Sequence, residues 1–289
     1  MQFIENDKLK LGIHSKGAEL QSVFHKQYGV EYMWEGNPAF WARRSPVLFP
    51  IVGALKEGTY YFEEVAYRLP KHGFARDMMF HVEEQSSDRI LFSIESSPQT
   101  LLTFPFRFKL FINYLVTENM LHVTYRVKNE DKKAIYFSIG GHPAFKIPLA
   151  EGTMYDDYAL YFDKEETLYR WPVSKEGLIE ADPQLLRNSP GRLPLSKALF
   201  EHDALVLKNL QSGSIALRSD KTAHGLLFDF ASFPYLGLWA APGADFLCIE
   251  PWCGIADSVQ TNQQLIEKEG INTLQPATVF EKTWTVSFF

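Results

Sequence analysis

Three ionisable side chains in this chain stand at points where acid–base chemistry could be done. Glu250 lies in Cys248-Ile249-Glu250-Pro251-Trp252-Cys253-Gly254-Ile255, directly after the apolar run Phe246-Leu247-Cys248-Ile249. That run reads as a buried strand, and Pro251 holds Glu250 extended and blocks a helix. The expectation is a carboxylate at the mouth of a core strand, beside a tryptophan. His142 lies in Tyr136-Phe137-Ser138-Ile139-Gly140-Gly141-His142-Pro143-Ala144-Phe145. There a strand runs into paired glycines that permit a bulge, a close ligand approach or a plain turn. Pro143 again holds the ionisable residue before it extended. His72 and Arg76 lie in Lys71-His72-Gly73-Phe74-Ala75-Arg76-Asp77, between two strand-like segments. This is either a loop displaying functional groups or a turn made by Gly73 with a solvated histidine. An imidazole titrating near about 6.5 and a carboxyl near about 4.3 can protonate one oxygen while deprotonating another.

The elements that must position these groups are strands. Lys8–His14 alternates, and in Asn119–Lys128 the side chains of Leu121, Val123, Tyr125 and Val127 share one face, as in a half-buried antiparallel strand. Further strands are expected at 59–68, 79–85, 90–97, 107–116, 134–139, 157–162, 204–208, 213–219, 225–231, 236–240, 246–250 and 278–288. Turn-forming runs such as Asn129-Glu130-Asp131 and Ala241-Pro242-Gly243 separate them. Only 36–43, 195–200 and 258–268 suit short helices, so the pattern predicts an all-β sandwich or barrel. The irregular stretch 172–200 reads as a surface excursion within one domain spanning 1–289, since strands of the same character resume after it.

Composition excludes several functions. The net charge of −6 and scattered Lys and Arg argue against a nucleic-acid partner. No run approaches the roughly 20 apolar residues of a membrane span, and the first residues lack a signal-peptide pattern. Two cysteines, Cys248 and Cys253, suggest a reducing, cytoplasmic setting, and their spacing is not a zinc pattern. No metal or other cofactor is expected. No G-x-S-x-G, S-x-x-K, H-E-x-x-H or Gly-rich phosphate loop is present to support a covalent or nucleotide mechanism. Aromatic residues reach 15%, enough to furnish a core and also flat walls against sugar rings.

Five segments then occur in order: Gly17–Ser22, Ser45–Gly53, His72–Arg76, Gly140–Phe145 and Glu250–Asp257. Together they resemble the aldose 1-epimerase (galactose mutarotase) family, closest to its bacterial branch found with lactose-utilisation genes. The resemblance implies a large antiparallel β-supersandwich and cofactor-free exchange of α and β anomers. It implies Glu250 as the base at the anomeric hydroxyl, His142 as the acid at the ring oxygen, and His72 as an assisting group near that oxygen. Asp203 resembles a carboxylate that binds sugar hydroxyls. Trp252, Phe74 and Trp239 are candidates for a ring-packing wall, with core packing favoured for Trp239.

Galactose-specific members carry a sugar-binding arginine in an Asn-Arg-Ile stretch, whereas Pro50-Ile51-Val52-Gly53-Ala54-Leu55 has none. Arg43 and Arg44 stand just upstream as substitutes. Arg43, Arg44 and Arg76 also resemble the phosphate-holding arginines of the hexose-6-phosphate epimerase branch, a role suited to their fork geometry. The expected partner is a small sugar, free or phosphorylated. The expected activity is an aldose 1-epimerase; the rivals are a hexose-6-phosphate 1-epimerase and a non-catalytic carbohydrate-binding or sensing domain.

Overall fold

A computed structural model describes residues 1–187 and 191–289. The alternating patterns become two large antiparallel sheets. The larger has nine strands, in the order Arg192–Pro194, Tyr158–Phe162, Ser214–Ser219, Thr222–Asp229, Val279–Phe288, Met120–Asn129, Phe108–Thr117, Arg89–Glu95 and His81–Gln85. Phe108–Thr117 and Met120–Asn129 pair in unbroken register from Phe108↔Asn129 to Thr117↔Met120, each burying every second residue. That is the period-2 pattern of a sheet with one covered face.

The smaller sheet runs Leu205–Lys208, Tyr235–Trp239, Phe246–Cys253, Ile139–Gly141 and Val47–Leu48, with Ala144–Lys146 also pairing to Phe246–Cys253. Phe246–Cys253 is buried at all eight positions, as expected of a strand covered on both faces. The sheets meet through aromatic residues. Phe145 approaches Phe228, ring centroids 6.0 Å apart, and a side chain at Gly141 would strike Tyr125 Oη at 2.7 Å. A four-stranded sheet formed by Gln2–Glu5, Leu9–His14, Glu19–His25 and Val30–Glu31 adds Leu9, Leu11, Leu20 and Val23 to the same core.

Several expectations change. The segment 59–68 is a hairpin, Thr59–Phe62 with Val65–Arg68, turning at Glu63-Glu64, both with positive φ. Two glutamates carry no turn signal, so the break was invisible in the sequence. The segment 36–43 forms turns closed by Asn37, not a helix. The segments 195–200 and 258–268 shrink to the 3₁₀ turns Lys197–Phe200 and Leu265–Glu267. Part of the excursion 172–200, residues 188–190, lies outside the described residues. Among the described residues no helix is long and apolar enough to cross a membrane.

Candidate active site

Glu250 does not stand at a strand mouth. The strand continues through Pro251 to Cys253, with Glu250 opposite Gly237, Pro251 opposite Leu236 and Trp252 opposite Tyr235. The N–H of Ile249 donates to Pro143 O, so position 251, two residues on, would direct its N–H to that same side. On that side the neighbouring chain leaves the ladder between Gly140 and Ala144. A proline therefore costs no hydrogen bond at this point, and the irregularity that tolerates it carries His142 across to Glu250. Gly140 and Gly141 serve packing more than ligand approach: a Cβ on Gly140 would lie 2.6 Å from the Trp252 ring and 2.9 Å from Pro251 O.

His142 Nε2 lies 3.3 Å from Glu250 Oε2, and the glutamate is only 2% exposed. Burial pushes the Glu250 carboxyl well above its ordinary range; nearby Lys71 and the Trp252 indole oppose the shift, and Asp203 adds to it. Burial also lowers His142, to about 3, with Arg76, Lys71 and Arg43 acting in the same direction. Both partners thus favour their uncharged forms, and the pair holds one proton between them. His142 Nδ1, Glu250 Oε2 and Trp252 Nε1 are buried without hydrogen-bond partners, an unspent polar capacity in residues that line the cavity.

His72 is fixed by its backbone. It adopts φ 67°, a left-handed conformation uncommon for a non-glycine residue, followed by Gly73 at 71°. Its N–H donates to Gly53 O at 2.8 Å, and the Gly53 N–H donates to His72 Nδ1 at 3.1 Å. An acceptor Nδ1 in a neutral ring requires the proton on Nε2. Burial, followed by the charges of His142, Lys71, Arg76 and Arg43, holds His72 well below the usual histidine range, which maintains that neutral ring. The rings of His72 and His142 stand 5.7 Å apart, nearly perpendicular. His72 is therefore buried beside His142, not solvated in an open turn.

These groups share one cavity of about 500 Å³, also lined by Asp203, Arg76, Lys71, Trp41, Trp239 and Trp252. Its size suits a small-molecule ligand. Asp203, at φ 72°, is steadied by the Ala204 N–H on its own Oδ1 at 2.7 Å. Trp239 is a wall rather than pure core, edge-on to His142 at 5.7 Å. Trp41 stacks on the His142 imidazole at 4.8 Å and 28°. It lay in a segment read as helix, and nothing local in the sequence marks it as a site residue.

Three expected binding residues are placed elsewhere. Arg44 donates to Gln21 O and Glu35 O, both at 2.5 Å, and is held away from the cavity by strand and loop carbonyls. Arg43 pairs with Asp77 at 2.7 Å behind Arg76; its charge reaches the histidines, but its side chain does not line the cavity. Phe74 packs among Phe49, Phe104 and Phe108 in the core, because its own loop turns it inward. Among the described residues Arg76 is the arginine that lines the cavity, with Nη2 on Lys71 O at 2.8 Å and a buried Nε lacking a hydrogen-bond acceptor.

Donor atoms of His142, Cys248 and Glu250 lie within 4.8 Å of one another, a trio hidden from spacing arguments by the distance of His142 along the chain. Burial and the neighbouring Glu250 push the Cys248 thiol well up, against the thiolate that a metal would need.

Comparison with known proteins agrees with this architecture. A family profile described as aldose 1-epimerase matches residues 2–266. The plasmid-encoded protein LacX of Lactococcus lactis subsp. lactis is 32% identical over 295 residues, covering 98% of each chain. A galactose mutarotase-like protein from Lactobacillus casei superposes with a TM-score of 0.94 at 33% identity, covering 100% of both chains. A galactose mutarotase related enzyme from Lactobacillus acidophilus gives 0.93 at 32%, covering 100% of this chain and 97% of that one.

Proposed function

This chain belongs to the aldose 1-epimerase family, and from that premise we propose that its cavity opens and recloses the pyranose ring of a hexose, exchanging α and β anomers. The observation that carries the reading is the buried Glu250–His142 pair, 3.3 Å apart, at the wall of a sugar-sized cavity.

Ring opening needs a proton taken from the anomeric hydroxyl and one given to the ring oxygen. Glu250, as carboxylate, takes the first, and His142, as imidazolium, gives the second. Reaching that form from the uncharged pair moves one proton across a short gap and changes no net charge. The positive charge of Lys71 favours the carboxylate side. His72, with its proton on Nε2, polarises the sugar near the ring oxygen. The bond from C1 to the ring oxygen breaks, the C1–C2 bond of the free aldehyde rotates, and the same groups re-form the ring on the other face. Asp203 takes sugar hydroxyls, while Trp252, Trp41 and Trp239 supply apolar walls. No step draws on a bound metal or cofactor. General acid–base assistance of this kind contributes about 10²–10⁴-fold per group.

A second reading, a hexose 6-phosphate as substrate, draws on Lys71 and Arg76 together at the cavity wall. Among the described residues no carboxylate pairs with Lys71, and Arg76 Nε has no hydrogen-bond acceptor, Asp77 Oδ2 standing 3.9 Å away. Arg76 bears on both histidines, and the carbon carrying the 6-substituent is bonded to C5, next to the ring oxygen they would face.

Exchange NMR of glucose, galactose and their 6-phosphates, measured above the rate without protein, tests both readings. Acceleration of free hexoses is the expected result. Acceleration confined to the phosphates would transfer the proposal to the second reading. Sugar binding with no acceleration at all would overturn the enzyme in favour of a carbohydrate-binding domain.

A further inference from the structure

Away from the cavity, Asp257 and Lys268 form a fully enclosed ion pair, Nζ to Oδ1 2.6 Å, with each side chain 3% exposed. Removing two charges from water is expensive, and an apolar pair of similar volume commonly serves stability as well or better. What this pair holds is more telling than what it stabilises. Asp257 Oδ2 accepts the Lys56 N–H at 3.0 Å, and the Asp257 N–H donates to Ala54 O at 2.9 Å. The Asp257 carbonyl accepts the Ile179 N–H at 2.8 Å. One residue thus ties together the exit from the Glu250 strand, the loop 53–56, and the part of the excursion that lines the cavity through Val173, Gly177 and Ile179.

The loop 53–56 begins with Gly53, the residue that exchanges both hydrogen bonds with His72. Gly53 is pressed from behind by Ala256, adjacent to Asp257: a Cβ on Gly53 would lie 2.4 Å from Ala256 Cβ. The chain of contact therefore runs from Lys268 to Asp257, through Ala54, Lys56 and Ala256 to Gly53, and from Gly53 N–H to His72 Nδ1. The ion pair at one end and the Gly53–His72 hydrogen bond at the other are both buried, and the Lys56 N–H link to Asp257 is part-buried.

We propose that the Asp257–Lys268 pair is a positioning device for His72, holding Gly53 where its N–H fixes the Nε2–H tautomer and the ring orientation. The proposal rests on reading His72 as the proton-bearing group beside the ring oxygen. Neither member of the pair lines the cavity.

The test is long-range ¹H–¹⁵N NMR of the histidine side chains in the full-length protein, combined with anomer-exchange kinetics. In the wild type, His72 is expected as the Nε2–H tautomer; an Nδ1–H tautomer would overturn the proposal with no variant needed. In Asp257→Asn and Lys268→Met, His72 is expected to become a tautomer mixture, with kcat down by about tenfold or more and KM changed less, since one oriented donor is lost. The His142 tautomer and the pH profile of the Glu250–His142 pair should stay as in the wild type, which a general loosening of the fold would not allow. Lys268→Arg, which keeps the charge, should restore the wild-type tautomer and rate if Lys268→Met fails to fold. A folded Asp257→Asn or Lys268→Met with unchanged His72 tautomer and kcat would refute the positioning role. The tautomer readout needs no sugar, so an inactive wild type would overturn the proposed activity while still testing the positioning.

Discussion

Glu250→Gln separates chemistry from stability more cleanly than any other substitution in this chain. Glutamine keeps the volume and planar head of glutamate but cannot take the proton from the anomeric hydroxyl. Loss of a positioned general base lowers the rate by about 10²–10⁴-fold, or roughly 3–5 kcal/mol in the barrier. Stability should move the other way. The Glu250 carboxyl is 2% exposed and its folded titration point lies above the ordinary value. For a group raised in this way, the stabilising contribution is fully present below the unfolded value of 4.5 and is lost as pH rises through the folded one. Wild type therefore weakens with rising pH in that window, by at most about 1.4 kcal/mol per pH unit, and the glutamine variant does not. With about 2–4 °C of melting temperature per kcal/mol in a chain of this size class, the variant should melt level with wild type near pH 4. It should melt several degrees higher near pH 7. Exchange NMR between α and β anomers and thermal melts across pH read both quantities on the same samples. A variant within about tenfold of the wild-type rate would remove Glu250 as the base. A variant that melts lower at neutral pH would mean that the carboxyl is ionised and stabilised at rest, contrary to the burial argument.

Other outcomes follow from the same geometry. The pH profile of exchange should show no acid limb near 6.5, because His142 is lowered to about 3; an acid-side fall centred between pH 6 and 7 would contradict the neutral imidazole. Gly73→Ala should destabilise the fold by more than about 2 kcal/mol in chemical denaturation and abolish exchange, since its φ is 71° and a Cβ would sit 2.3 Å from Phe49 O. A melting curve like that of the wild type would show that the loop can relax. Cys248 and Cys253, both buried and with thiols raised, Cys253 to about 12, should resist disulfide reagents until the protein unfolds. Rapid labelling of either in the native protein would indicate that the strand Phe246–Cys253 becomes accessible.

The sequence on its own determined the class of the fold and singled out the candidate acid–base groups. Alternation along Asn119–Lys128 required a strand with one covered face, because side chains on an extended backbone must point to opposite sides. Turn residues placed most other strand ends, and failed at Glu63-Glu64, where the chain adopts left-handed geometry with residues that do not advertise it. Glu250, His142 and His72 were legible from their proline and glycine contexts and from the family resemblance.

What those contexts meant was decided by the tertiary structure. Pro251 looked like the end of a strand, yet the strand passes through it because its neighbour bulges at Gly141–Pro143 and asks for no N–H there. That same bulge brings His142 to Glu250. Nothing in the spacing distinguished Arg76 from Arg43 and Arg44, since an ion pair with Asp77 and carbonyls of distant segments draw the latter two away. Trp41 enters the site because its turn sets it on His142. The tautomer of His72 depends on a single backbone N–H, from Gly53. Residue type and local pattern fix what a group can do. Its neighbours, its burial and hence its proton are contributed by chain segments far away in sequence, and only folding brings them together.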